Sequence, residues 1–564
     1  MSEIKTRLLS LRSAIKVMGA DAFYCTLSDA HLSEYIQKTD QFLSFLSGFT
    51  GSNAELLVTG DKAFLWTDSR YWEQAERQLL NSGIALMRDG EKDVPSVAEW
   101  LSEVNAKKST VLALPLETLP LERYKKIRES VSKVIDFPDE VITKEWPDRP
   151  KREISSLYIH RASSVSAADK LKRLQKYIES INTQASPSAL LLTKLDDIAW
   201  LTNLRGSDIA FNPVFLSWAW VLPDSATLFL HDEILDDQVV QHLKEAGWTI
   251  TPYASLEKTI ESFTSQGGKV LARESDLNAK LYSQINDAWV AVKHPVALWK
   301  SVKTQEEIAG LKEVMKADGE ALQAFIDELK ARLAKGEKLT ENDAVDILHQ
   351  KRSAIEGFIG ESFGTIAAVD ANAALPHYEP EEGKGAQIAL PCILLVDSGA
   401  HYDRGTTDTT RVWFLGNPKD YPQEKLQRLK RDYTAVFLAM KTLSEATFKP
   451  GTNGVELDRV ARAPIQAIGA DFGHGTGHGI GLTLNVHETP PSISPREREG
   501  TLTPFEPGMV TSDEPGIYRP GEWGIRIENM LVCVEKGDGM LGFETLTQCE
   551  IDRTLLMENS LVGL

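Results

Sequence analysis

Cysteine is scarce in this chain, with four in 564 residues, at 25, 392, 533 and 549, forming neither a CxxC pair nor a closely spaced framework. That excludes a disulfide scaffold and fits a reducing compartment in which thiols stay free. Long apolar runs are also missing. No stretch reaches the roughly 18 residues of a membrane helix. The N-terminus intersperses charges among Leu8, Leu9, Leu11, Ile15 and Met18, unlike the unbroken apolar core of a secretory signal. Positive charge is in deficit, 62 Lys and Arg against 81 Asp and Glu, a formal net charge of −19. Such a surface repels a phosphate backbone and tolerates cations and basic peptides. The expectation is a cytoplasmic protein with neither nucleic acid nor membrane among its partners.

Apolar content of 42% with 25% charged residues is that of ordinary globular protein. At roughly 100–250 residues per domain, the length calls for two to four domains. The first third alternates helical and strand patterns, with strands expected at Ala22-Phe-Tyr-Cys, Glu55-Leu-Leu-Val and Ala63-Phe-Leu-Trp. A similar order recurs from Ala189-Leu-Leu-Leu-Thr to the paired strands Ala219-Trp-Val-Leu and Ala226-Thr-Leu-Phe-Leu. Phe45-Leu-Ser-Gly-Phe-Thr-Gly-Ser52 aligns with Trp200-Leu-Thr-Asn-Leu-Arg-Gly-Ser207, which reads as two copies of one α/β domain. Trp146-Pro-Asp-Arg-Pro suits an extended linker, and His294-Pro295 precedes Thr304, the N-cap of a long helix whose Glu307 completes a capping box. These breaks divide the chain into domains at 1–155, 156–300 and 301–564, the last opening on helices at about 304–333 and 341–354.

The chemistry concentrates in that last domain. Ile388 to Val396 reads as a buried strand interrupted by Pro391 and ending at Asp397. Arg411-Val-Trp-Phe-Leu follows Asp408 after a turn on Gly405, so a hairpin can bring the two carboxylates into a common space. Like charges that close need a counter-ion or a shared proton, although a single Asp in a turn is more often a local cap. Phe472-Gly-His-Gly-Thr-Gly-His-Gly-Ile-Gly481 sets His474 and His478 four apart among five glycines. A helix is excluded and no register satisfies GxGxxG, so an extended chain with both imidazoles to one side is expected. In Trp523-Gly-Ile-Arg-Ile-Glu-Asn529, Ile525 and Ile527 alternate with Arg526 and Glu528, the period of a strand. Either that polar face is a solvated Arg/Glu pair or it meets the site, with Arg526 supporting Glu528. With Glu514 from Ser512-Asp-Glu-Pro, the set Asp397, Asp408, His478, Glu514 and Glu528 carries about −4 charge, which two divalent cations balance. Its oxygen-rich character suits Mn²⁺ or Mg²⁺.

The ordered motifs Asp397-Ser-Gly-Ala, Thr406-Thr-Asp, Gly473-His-Gly-Thr-Gly-His, Val486-His-Glu, Ser512-Asp-Glu-Pro-Gly and Gly524-Ile-Arg-Ile-Glu-Asn closely resemble the signature of X-Pro aminopeptidases. The long members of that family carry two related creatinase-like α/β domains before a pita-bread catalytic domain, a mixed α/β and α+β architecture. The resemblance implies that Asp408 and Glu528 bridge two metals, His478 and Glu514 complete one, and Asp397 chelates the other. It implies catalytic roles for His377, His487 and Glu514, substrate binding by His377 and His487, and supporting substrate-binding positions for His474, Tyr518 and Arg526. Manganese, a homodimer and peptides with a penultimate proline as substrates are implied in the same way. A prolidase restricted to dipeptides, or a non-catalytic peptide-binding module on the same fold, are the alternatives. Two departures stand out. The chain stops at Leu564, where long members continue through a further helical segment, and Thr489-Pro-Pro replaces the family's Gly-Pro.

Overall fold

A computed structural model describes residues 3–181, 186–231 and 235–557; Met1, Ser2 and the closing residues to Leu564, on which two of the expectations touch, lie outside the described residues. The chain forms two compact units, one of Met1–Ile159, Val165–Ala210 and Val214–Val296, the other of His160–Ser164, Phe211–Pro213 and Ala297–Leu564.

The first unit holds the duplicated pattern. Its opening helix, Glu3–Val17, buries Leu8, Leu11 and Ile15 and leaves Leu9 outward, as the apolar spacing of that segment dictates. One six-stranded sheet runs Ala85–Arg88, Ala63–Thr67, Glu55–Thr59, Ala22–Thr26, Val111–Leu114, Lys133–Asp136. The second runs Thr249–Pro252, Ala226–Leu230, Ser217–Val221, Ser188–Leu192, Lys269–Ala272, Trp289–Ala291. In both, three central strands pair antiparallel and the flanking joins are parallel. The matched octapeptides explain themselves here. Each closes a short helix, Phe42–Ser47 or Leu195–Thr202, on a left-handed residue, Gly48 at φ 76 and Asn203 at φ 53. Glycine takes that conformation without steric cost and asparagine tolerates it, so the two residues are interchangeable at this cap.

In the second unit the helices Gln305–Ala334 and Glu341–Ser353 both start on capping boxes, Thr304 with Glu307 and Thr340 with Asp343. Cys392–Ser398 pairs antiparallel with Ile366–Val369 on one side and Thr409–Leu415 on the other, with Asp397 opposite Thr410. The connection between the last two is more than a turn. Ala400–Tyr402 and Gly405–Thr406 leave the ladder and join Phe358–Glu361 in a separate small sheet. Gly399 lies at the switch, where an added Cβ would sit 1.9 Å from the Thr407 carbonyl, so only glycine fits. A six-stranded antiparallel sheet follows, ordered Thr447–Phe448, Met540–Thr545, Asn529–Gly537, Val510–Asp513, Gly477–Gly479, Glu488–Ile493. Helices Gln423–Ser444 and Gly454–Gln466 belong to the same unit. Among the described residues no helix is long and apolar enough to cross a membrane. The four cysteines are unpaired, three of them buried.

Candidate metal centre

Strand ends deliver the acidic side chains. Asp397 is next to last in its strand, Asp408 directly precedes Thr409–Leu415, Glu514 directly follows Val510–Asp513, and Glu528 lies between Trp523–Arg526 and Asn529–Gly537. His478 is the middle residue of Gly477–Gly479, a strand pressed so close to its neighbour that a Cβ on Gly477 would meet the Ser512 carbonyl at 2.1 Å. Each of Asp408, His478 and Glu528 brings one ligand atom within 4.8 Å of the other two. His478 Nε2 stands 3.5 Å from Asp408 Oδ2 and 3.6 Å from Glu514 Oε1.

Hydrogen bonds fix the orientation of these groups. His478 Nδ1 lies 2.9 Å from the Gly479 carbonyl, which can only accept, so the proton sits on Nδ1 and the Nε2 lone pair faces the carboxylates. Thr410 donates its hydroxyl to Glu528 Oε2 at 2.7 Å, and its carbonyl accepts from the Glu528 amide at 3.1 Å. Arg526 donates to Asp397 Oδ2 from Nη2 at 2.5 Å and from Nε at 3.2 Å, and its Nη1 donates to the Tyr518 hydroxyl at 2.7 Å. Tyr518 meets His474 Nε2 at 2.7 Å, which completes a chain from His474 to Asp397. His487 packs edge-on against His478 with ring centroids 4.4 Å apart. His377 is exposed, on a turn whose Pro376 carbonyl accepts from Arg526 at 3.4 Å.

Negative charge dominates this space. Burial drives the Glu528 carboxyl well above the usual range, and the charges of Asp408, Asp397 and Glu514 reinforce it. Burial pushes Glu514 up to about 7, against the pull of His478 and Arg526 and with the push of Asp408 and Asp397. Asp397 is raised by burial despite the Arg526 guanidinium beside it. Burial likewise lifts the Tyr518 phenol to about 12, so it stays a neutral donor.

The sequence profile of Creatinase/Prolidase N-terminal domains matches residues 7–143, a second such profile matches 147–307, and that of "Metallopeptidase family M24" matches 309–535. A probable Xaa-Pro aminopeptidase P of Tuber melanosporum is 36% identical over 98% of this chain and 92% of its own length. Aminopeptidase P2 of Arabidopsis thaliana is 35% identical over 97% of this chain and 81% of its own. The chain belongs to the aminopeptidase P branch of metallopeptidase family M24. The fold of this M24 chain agrees. It superimposes on an X-prolyl aminopeptidase of Caenorhabditis elegans, described as a cytosolic enzyme with a di-nuclear active site, with a TM-score of 0.92 at 30% identity, covering 100% of this chain and 94% of the other.

The residues of this M24 chain fit a cation. Asp397 Oδ1 is buried without a hydrogen-bond partner, the oriented Nε2 of His478 faces two carboxylates, and the charges of Asp397, Asp408 and Glu514 all bear on Glu528. The 3.5 and 3.6 Å gaps are long for hydrogen bonds and match the separation of two ligand atoms that each stand roughly 2.1 Å from one ion.

Two expectations need correction. Arg526 pairs with Asp397, not with Glu528, because the strand stops at Arg526 and the period that would align 526 with 528 ends there. His474 does not share a face with His478, since only Gly477–Gly479 is a strand, and His474 turns instead to Tyr518. The solvated reading of Arg526 and Glu528 is also excluded, as both are buried. Sequence reasoning missed Thr410, which touches both Glu528 and Arg526, and the pair Asp458 and Arg462. An i, i+4 spacing of opposite charges is the signal that could have found the latter.

Proposed function

We propose that this M24 chain is a metal-dependent Xaa-Pro aminopeptidase that removes the N-terminal residue from peptides with proline in second place. The observation that carries the reading is the convergence of Asp408, His478 and Glu528, with Glu514 beside them, in a chain related along nearly its whole length to aminopeptidases P. Asp397, through its unpartnered Oδ1, and Asp408, His478, Glu514 and Glu528 would hold the two divalent ions. When bound, such a pair supplies Lewis acidity for the scissile carbonyl and lowers the pKa of the attacking water.

The chain's own groups do the rest. Burial raises the proton affinity of Glu514, which suits its carboxylate to take a proton from the attacking water and, once protonated, to hand it to the departing prolyl nitrogen. His487 and His377 hydrogen-bond the scissile carbonyl and the charge that develops on it. Arg526, braced by Tyr518 and His474, holds Asp397 Oδ2 and turns the other oxygen inward. A bond before proline needs a dedicated enzyme, because its nitrogen bears no hydrogen and its ring fixes φ.

Manganese belongs to the same proposal, supported by oxygen-dominated ligation, as do a homodimer, from the family resemblance, and a cytoplasmic location, from the unpaired cysteines. The three-part division at 155 and 300 is supported by profile edges at 143/147 and 307/309. The test is chelation, reconstitution with Mn²⁺, and assay on an Xaa-Pro-Yaa tripeptide against an Xaa-Pro dipeptide. Cleavage of the tripeptide is expected. Hydrolysis of the dipeptide alone would make the protein a prolidase, and no Mn²⁺-dependent turnover would return it to the class of binding modules.

A further inference from the structure

The glycine tract from Gly473 to Gly481 has little conformational preference of its own, since alternate residues lack a side chain, yet it carries His474 and His478. Something outside it must fix its path. Helix Gly454–Gln466 does so with two buried side chains one turn apart. Arg462 Nη1 donates to the Phe472 carbonyl at 2.7 Å, and Nη2 donates to the His474 carbonyl at 2.8 Å. The guanidinium lies 3.8 Å from the Phe472 ring centroid, and that ring packs against His474 with centroids 4.8 Å apart. Asp458 takes Nε of Arg462 at 2.8 and 3.0 Å and also accepts the Thr476 hydroxyl at 2.6 Å. Nη1 reaches Asp471 Oδ1 at 2.6 Å as well. The grip extends further, because the Thr476 carbonyl accepts the amide of Glu514 at 2.8 Å.

We infer that Arg462, oriented by Asp458, is a positioning residue for the reaction that acts through His474 by clamping the backbone on both sides of it. This rests on the aminopeptidase reading and on the supporting role it gives His474. A fork-shaped guanidinium is required, since an ammonium is a single point of charge and cannot span two carbonyls and a carboxylate at once.

The experiment is a double-mutant cycle of Arg462→Lys and His474→Ala in the Mn²⁺-reconstituted full chain, with kcat and KM for a tripeptide measured separately and metal content and Tm followed alongside. Arg462→Lys keeps the charge and loses the fork. We expect kcat/KM to fall about 10- to 100-fold while metal stoichiometry holds. In the His474→Ala background the same change should cost no more than about twofold, because contacts that act as a unit are not additive. An equal penalty in both backgrounds, or full activity in Arg462→Lys, overturns the inference. Wild-type turnover in His474→Ala overturns the role of His474 and the inference with it, while leaving peptidase activity intact; an inactive wild-type chain points instead at the proposed function. Should Arg462→Lys fail to fold by circular dichroism, Asp458→Asn, which keeps an acceptor for Thr476 and loses the charge that orients Arg462, enters the cycle in its place.

Discussion

Among the described residues, two places gather two carboxylates and an imidazole within 4.8 Å, and their electrostatics are opposite. In the N-terminal unit, Asp197, Asp276 and His294 are buried, with His294 Nε2 3.2 Å from Asp276 Oδ2. Burial alone would raise the Asp276 carboxyl. The His294 hydrogen bond and the charges of Lys194 and Arg273 outweigh it and hold the group well below the usual range. In the catalytic unit, Asp408, Glu528 and His478 have Asp397 and Glu514 for neighbours, and Glu528 is pushed far upward. The first cluster is balanced by the protein's own cations, whereas the second carries more negative charge than its surroundings neutralise. Residue types alone do not separate a structural ion cluster from a metal site; the sign of the residual charge does.

That contrast is open to direct attack. Glu528→Gln should lower turnover about 10³-fold or more, since it removes several kcal/mol of charge complementarity, and kcat measured at saturating Mn²⁺ checks this. The same change should stabilise the metal-free protein, the reverse of what a balanced cluster would show in chemical denaturation. Asp276→Ala is the mirror image. It leaves Arg273 and Lys194 facing a buried gap and should cost about 3–5 kcal/mol of stability in urea titration, with turnover per folded molecule unchanged. Thr410→Val removes a hydroxyl that orients Glu528 and should weaken metal binding about 10- to 100-fold, measured by competition with a chelator. The smallest effect is a pH dependence. Glu514 ordinarily titrates at 4.5 and is held at about 7, so the folded, metal-free protein binds that proton more tightly than the unfolded chain. Its contribution is complete below 4.5 and is lost as pH rises through 7, so the Tm of the stripped protein should fall across that window. A Tm that rises there would contradict the charge surplus.

Much of this was readable in the sequence, and the failures have physical causes. The duplicated domains showed through Gly48 and Asn203 because a left-handed cap admits few residue types. All five acidic and imidazole positions proposed for the metals lie at or beside strand ends, where short motifs and turns mark them. The alternation that makes Arg526 the partner of Glu528 fails because the strand stops at Arg526, one step short of where that pattern needs it. The shared face of His474 and His478 fails for a related reason. A glycine tract has no periodicity to extrapolate, and its path is set from a helix that begins about 20 residues earlier in the chain. Long-range grips of that kind leave no local trace.

The crowding of four acids, one of them paired with Arg526, reaches beyond catalysis. A protein that concentrates this much like charge in a buried space is under internal pressure until a cation arrives, so its cofactor is also a folding ligand. Loading the site with Mn²⁺ should therefore raise the Tm of the chain, as any ligand bound by the folded state alone does.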